Sequence, residues 1–319
     1  MNDHHTCCEH PQPRRYAFLG PYGTFCHQAL TQFVNGKAEL IPCAGERVAM
    51  DMVREGKAHR AVVPIENTVE GGVTATMDSL ANDKRLMILR ETTVPVAFTL
   101  AVKQGVARED ITAIGTHPHA WAQCRNWIAD HLPGVEHVRT ASTASAATLL
   151  SEQADPGFQA VLSSAVAVKL CGLDILEADV ADNPGAHTRF VELGLPCHVG
   201  EPTGADRTTI QVYLPPDRPG LLLTMLEQFS VRGVNLTRIE SRPVAGSVGR
   251  YSFNIDIDGH IREERVQAAL VGLYRTCEDL RFLGSYPKAD KQPNFIDVDC
   301  HDNDFTQASQ WVRSILNYD

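Results

Sequence analysis

Leu236-Thr-Arg-Ile-Glu-Ser-Arg-Pro243 is the stretch on which the fold turns. It lies inside residues 207–286, which read β-α-β-β-α-β: strand 207–214, helix 219–231, strands 235–243 and 250–257, helix 262–274 and strand 280–286. Pro219 opens the first of these helices, where a missing N–H costs nothing. The order predicts a small ferredoxin-like module of the ligand-sensing kind. Residues 196–206, rich in Pro and Gly, read as a linker to a larger upstream segment that closes with Thr188-Arg-Phe190.

That upstream segment, residues 15–195, alternates strand and helix. Strands 16–20, 38–42 and 60–65 interleave with helices 24–33, 45–55 and 73–82. A long apolar stretch, 86–102, holds Pro95 and suits two linked strands or a crossover. The pattern then restarts with strands 111–115, 135–139 and 159–163 and helices 118–131, 143–152 and 164–170, before returning strands at 174–180 and 188–194. The fold class is therefore α/β, with mainly parallel sheet covered by helices on both faces. Two such halves joined by long strands predict two lobes around a cleft, like a periplasmic binding protein. Ligands of such sheets sit beyond the carboxyl ends of strands, which here are loops 20–24, 66–72 and 115–119 and the helix start at 142–143.

Composition narrows the function. A chain of 319 residues suggests two domains. Its formal charge of -10 and lack of a basic run argue against nucleic acid. In so acidic a chain, an anionic substrate must be held by local groups. The N-terminal residues 1–14 have no apolar core and read as a disordered tail rather than a secretory signal. No apolar run approaches the roughly 18 residues that span a membrane. Nine scattered cysteines, an odd number, suggest a reducing cytoplasm. His4, His5, Cys7, Cys8 and His10 could ligate zinc, but they crowd too closely for a finger, and no metal site is expected. Residues 287–319 read as a C-terminal extension with a short helix at 305–316.

Several loops could carry chemistry. Gly20-Pro-Tyr-Gly-Thr24 leads into a helix whose N–H groups favour an anion, though taken alone a simple tight turn explains it better. Glu66 could place a charge, Asn67 could hydrogen-bond a substrate and Thr68 could cap the next turn. His117 and His119 invite acid–base work, or serve as a cap and a surface residue. Arg189 could clamp a carboxylate through its fork, Thr188 could donate to a leaving hydroxyl and Phe190 could pack beneath a ring. No Ser-His-Asp order, paired catalytic carboxylates or CxxC spacing stands out.

These motifs together resemble the prephenate dehydratase family, across residues 15–286. Thr188-Arg-Phe-Val-Glu-Leu193 fits one family signature, with Asp182 six residues before the threonine and Leu173 and Leu176 at its aliphatic positions. Cys171 stands where the family has an aromatic, and His119 where glutamine is common. Gly20–Phe25, Pro64–Thr68 with Gly71-Gly72, His117-Pro118 with Gln123-Cys124, and Ser142-Thr-Ala144 resemble the remaining segments. Leu236–Pro243 and Arg218–Leu223 are similar to the two motifs of an ACT regulatory module.

The resemblance implies decarboxylating dehydration of prephenate to phenylpyruvate, on the route to phenylalanine, with no cofactor. Thr188 is then the essential residue. Arg189 and the helix starts at Thr24 and Ser142 position the two carboxylates, with Asn67, Thr68 and Ser163 as polar contacts. The ACT module implies L-phenylalanine as allosteric effector at a subunit interface, near Gly220, Leu221, Asn235 and Leu236, with Glu240, Ser241 and Arg242 supporting or transmitting. A homodimer or homotetramer follows. Arogenate as substrate and a non-catalytic two-lobed binding protein are the alternative readings.

Overall fold

The structure, a computed structural model, describes residues 13–69, 71–81, 86–216, 218–244 and 250–316. The His/Cys-rich stretch from His4 to His10 lies outside the described residues. Among the described residues no group of three or more His, Cys, Asp or Glu is arranged to hold a metal ion, and no helix is long and apolar enough to cross a membrane.

The chain packs into two units. Of the described residues, one takes those from Pro13 to Ser79 together with Thr92–Glu192, and the other takes those of Leu80–Glu91 together with those from Leu193 onward. The elements from the N-terminus are β1 (Arg14–Leu19), α1 (Phe25–Phe33), β2 (Ala38–Cys43), α2 (Glu46–Arg54), β3 (Arg60–Asn67), β4 (Gly71–Gly72), α3 (Thr74–Leu80), β5 (Met87–Pro95) and β6 (Thr99–Val102). They continue as β7 (Ala113–Thr116), α4 (Pro118–Gln123), α5 (Arg125–His131), β8 (Glu136–Arg139), α6 (Thr143–Glu152), β9 (Ala160–Ser163), α7 (Ala165–Leu170), β10 (Asp174–Glu177) and β11 (His187–Gly194).

These strands build two sheets, ordered β2-β1-β3-β11-β5 and β10-β6-β9-β7-β8, with β4 added to β3. β1 runs parallel to β2 and β3, and β7 parallel to β8 and β9. β6 is antiparallel to both β9 and β10, so the second sheet is mixed where parallel pairing was expected. The cause is the 86–102 stretch. It ends β5 at Pro95, which lacks a ladder N–H, and crosses to the second sheet as β6.

Central strands are dry on both faces: Ala61, Val62, Val63 and Ile65 are fully buried, as an unbroken apolar run requires. Tyr16, Phe18, Leu30, Val62, Val94 and Phe190 form the first core, and Phe98, Leu100, Ile114, Ile128 and Leu162 belong to the second. Phe25 packs against both, edge-on to Phe98 at 5.7 Å.

The helix predicted over 118–131 is two helices. It breaks at Cys124, whose backbone leaves the helical region. The new N-terminus is capped from far away: Asp182 accepts from Asn126 N and Trp127 N, each at 3.0 Å. A carboxylate there satisfies N–H groups that a helix start leaves unpaired and meets the positive end of its dipole. Cys124 itself is buried, and burial pushes its thiol up to about 12.

The other unit adds β12 (Asp206–Tyr213), α8 (Leu221–Ser230), β13 (Leu236–Pro243), β14 (Tyr251–Asp258), α9 (Glu264–Thr276), β15 (Asp279–Pro287) and α10 (Asp302–Ile315). Its four strands are ordered β13-β14-β12-β15, with every neighbouring pair antiparallel. Ile210, Val212, Ile255 and Ile257 meet Met225 and Phe229 of α8 and Val266 and Leu273 of α9 in one core. Alternate residues of β12 and β14 are polar and also buried: Thr209, Gln211 and Asp256 are about 1% exposed or less. Residues 86–91 belong with this unit: Gly284 packs so closely on Ile88 O that a Cβ would come within 2.3 Å of it.

Asp182→Ala should lower stability by about 1 kcal/mol, the ordinary worth of a helix cap, while Asp182→Asn should lose less. Chemical denaturation measures both. Equal stability of the alanine variant would remove the capping role.

Candidate active site

Two sheet edges converge in the larger unit. Because β1 and β3 are parallel, the loops that follow them leave one edge of the first sheet. The same holds in the second sheet for the loops after β7, β8 and β9. The edges meet where Ser164 Oγ donates to Gly23 O at 2.6 Å. Gly23 has φ +87, and a Cβ on it would stand 2.9 Å from Ala167. Only glycine allows this backbone to close on the start of α7.

The chemical centre lies at the end of β3. Asn67 Nδ2 donates to Thr188 Oγ1 at 2.8 Å. The orientation of that amide is settled by Val69 N, which donates to Asn67 Oδ1 at 2.8 Å. Two further bonds zip the segments together: Thr68 N to His187 O at 3.0 Å and His187 N to Thr68 Oγ1 at 2.9 Å. Since Thr188 Oγ1 already accepts, its proton points elsewhere, and among the described residues none accepts it. Thr188 therefore keeps its proton for an acceptor other than Asn67.

Arg189 turns to Glu66, whose Oε2 lies 3.2 Å from both its Nε and its Nη2. Successive side chains of a strand point to opposite faces, so this pair sits across the sheet from Asn67 and Thr188. The fork expected to clamp a substrate carboxylate is already matched by a carboxylate of the chain. The expected charge at Glu66 answers Arg189 in the same way. The pair ties β3 to β11.

Thr24 and Ser142 are N-caps, as expected. Thr24 Oγ1 accepts from His27 N, and Ser142 shares a capping box with Ser145. Their hydroxyls are committed, so what α1 and α6 offer an anion is backbone N–H groups. His117 caps α4, its Nδ1 accepting from His119 N at 3.3 Å. Ser163 is fully buried and donates to Thr143 O at 2.8 Å. It anchors the start of α6 and does not reach a solvent-accessible substrate. Phe190 is 2% exposed inside the first core. The expected ring platform is a core anchor, because residue 190 points inward from a strand whose faces are both covered.

His27 escaped the sequence reading, although it stands three residues past Thr24. Its Nδ1 accepts from Gly23 N at 3.2 Å, and its ring stacks on Phe18 and meets Tyr22 edge-on. Burial holds its pKa below the usual histidine range, so the neutral ring is the native form. Ser164 and Val69 were missed as well, since one bonds a distant backbone carbonyl and the other acts through its own backbone N–H, which no motif announces.

A profile of the prephenate dehydratase family matches residues 16–197, more than half of the chain. The chain belongs to the prephenate dehydratase family. A prephenate dehydratase from Amycolatopsis methanolica is 42% identical over 302 residues, covering 94% of this chain and 97% of the relative. One from Corynebacterium glutamicum is 38% identical, over 95% and 96%. A solved prephenate dehydratase from Arthrobacter aurescens, in complex with L-Phe, superposes with TM-score 0.90 at 48% identity, covering 95% of this chain and all of that one. GqqA, a solved protein described as a quorum quenching acylase, matches at 30% identity and TM-score 0.77, over 86% and 98%.

In the second unit the residues that resemble the effector site do not gather within one copy. Gly220, at φ +81, caps the start of α8, while Asn235 follows its end. A helix of ten residues separates them by ~15 Å. Leu221 is buried in the core and Leu236 packs against it. Asn235 Nδ2 donates to Asp258 at 2.9 Å, Glu240 accepts from Arg238 and Arg242, and Ser241 is exposed on β13.

Asn67→Asp puts an acceptor against Thr188 and turns its proton inward. It should lower kcat about a hundredfold or more, the scale of losing one placed donor, with unchanged circular dichroism. Turnover within about threefold of the parent protein would free Asn67 of that role. A histidine with a depressed native pKa makes the unfolded state bind more protons, so its contribution to stability falls as pH drops below 6.5. His27→Gln should flatten the loss of stability between pH 7 and 5, read by denaturant titrations across that range.

Proposed function

We propose that the chain converts prephenate to phenylpyruvate as a carbon–oxygen lyase, under feedback control by L-phenylalanine. The observation that carries the reading is the hydrogen bond from Asn67 to Thr188 Oγ1, which leaves the threonine proton as a donor. In the reaction the bond to the ring carboxylate breaks and CO2 departs. Its electrons enter the ring, and the ring C–O bond breaks as the ring becomes aromatic. Thr188 hydrogen-bonds the departing oxygen, which leaves as water with a proton drawn from solvent. A threonine is a weak acid, so positioning and electrostatics supply most of the acceleration. The N–H groups at the starts of α1 and α6 hold carboxylates, and Asn67 and Thr68 orient the substrate. Aromatisation drives the chemistry, and neither a metal nor a redox cofactor is part of this scheme. An acyl-transfer reading, as for GqqA, needs a base to take the Thr188 proton, whereas Asn67 donates to that oxygen.

In this reading residues 15–195 form a two-lobed catalytic domain, 196–206 a linker, 207–286 a ferredoxin-like ACT domain and 287–319 an extension. The strand order of the second unit and the phenylalanine complex of the Arthrobacter aurescens relative support the ACT assignment. Gly220 and Asn235 lie at opposite ends of α8, so one phenylalanine is enclosed by Gly220 of one copy and Asn235 of another. A homodimer or homotetramer in the cytoplasm follows.

Phenylpyruvate formation from prephenate should be measured with and without phenylalanine, for the parent protein and for Thr188→Ala. Turnover suppressed by phenylalanine, and lost in the folded variant, is the expected outcome. Near-normal turnover of Thr188→Ala would overturn the mechanism, and turnover of arogenate alone would reassign the substrate.

A further inference from the structure

Leu80, Ala81 and residues 86–91 sit in the sequence of the larger segment but are built into the C-terminal unit. Three attachments hold them. Arg281 donates to Ala81 O at 2.7 Å, Gly284 packs against Ile88 O, and Arg207 grips Glu91 with Nη1 at 2.8 and 2.6 Å from its two oxygens. Ala289 N adds a fourth attachment, a hydrogen bond to Glu91 at 2.9 Å. The Glu91 side chain is 2% exposed and that of Arg207 14%. Ions so buried are costly to desolvate, and an apolar pair of similar size often serves stability as well. Stability alone is therefore a weak account of this pair.

Its position suggests another role. Behind Arg207, the register of β12 and β14 sets Asp258 directly opposite. Asp258 accepts from Asn235 Nδ2, and its own N–H donates to Asn235 O at 2.9 Å. Lys288 reaches the other oxygen of Asp258 at 3.5 Å, and the next residue, Ala289, is the second donor to Glu91. Two short routes thus run from Asn235 to Glu91. In the other direction Glu91 is the fifth residue of β5, the strand that lies beside β11, which carries Thr188.

We propose that the Glu91–Arg207 ion pair is the coupling element through which phenylalanine at the Asn235 end of the C-terminal module shifts β5 and hence β11. Glu91 then relays the effector signal to the neighbouring strand and takes no part in basal turnover. The inference rests on the regulatory reading above and adds the path.

The test uses the full chain, with L-phenylalanine as probe. Glu91→Gln removes the charge and keeps the shape, and the double variant Glu91→Leu/Arg207→Leu replaces the pair with an apolar contact. Calorimetry reads phenylalanine binding, and phenylpyruvate formation reads basal turnover and its inhibition. Both variants should bind phenylalanine and turn over within about threefold of the parent, while the half-inhibitory concentration rises about tenfold or more. Variants that bind and are inhibited like the parent overturn the proposal. If Glu91→Gln loses its cooperative unfolding transition, the double variant decides, and failure of both to fold shows the pair to be structural and overturns it too. A parent protein that neither binds nor responds to phenylalanine would instead sink the regulatory reading itself.

Discussion

The hydrogen bond between Asn67 and Thr188 spans 121 positions of sequence, and the candidate active site depends on it. It exists because β11 returns, after the whole second sheet has been made, to lie between β3 and β5. Register is critical in such a late insertion, since a slip of one residue would turn Thr188 to the other face. The bonds between Thr68 and His187 prevent that slip at the mouth of the strand pair. Arg189 with Glu66 and Arg60 with Glu192, both cross-strand ion pairs, hold it further along. Geometry good enough to aim one proton is thus spread over several contacts along the strand pair.

What could be read from sequence follows the range of the interactions involved. The β1–α1–β2–α2–β3 run was legible because apolar periodicity and caps such as Thr24 act within a few residues. Ser142 announced α6 for the same reason. The break at Cys124 was not legible, because the carboxylate that stabilises it comes from Asp182, more than fifty positions away. Thr188-Arg-Phe190 shows the limit most plainly. The motif marks where the candidate site is, but residue type does not tell which of three neighbours meets Asn67, which meets Glu66 and which is swallowed by the core. The family pattern keeps the triplet as a unit, whereas the pleat turns Arg189 away from Thr188 and Phe190, and burial then separates those two.

The second unit carries a comparable lesson. Alternation in Thr209-Ile-Gln-Val212 suggests one dry face and one wet face, yet both are buried. The polar face is organised instead of solvated. Asp256 accepts from Thr209 and Arg238, and the Tyr286 hydroxyl meets Thr209 at 2.7 Å. Bonds of this kind are strong in a low-dielectric setting and favour one register. Such a face would read as surface in any single-strand analysis, because what covers it comes from elsewhere in the chain.

The segment Leu80–Glu91 also bears on how this protein is born. During synthesis it emerges before most of the chain that will embrace it, and its partners Arg207, Arg281 and Gly284 follow more than a hundred residues later. At ribosomal speeds of about 5–20 residues per second it must wait several seconds with its final neighbours still unmade. The N-terminal half of β5 is thus an interleaved contact of long sequence separation, which slows assembly and makes the two units mature together rather than in series. A gene cut at the linker would separate two products, one carrying the orphaned strand and the other lacking it.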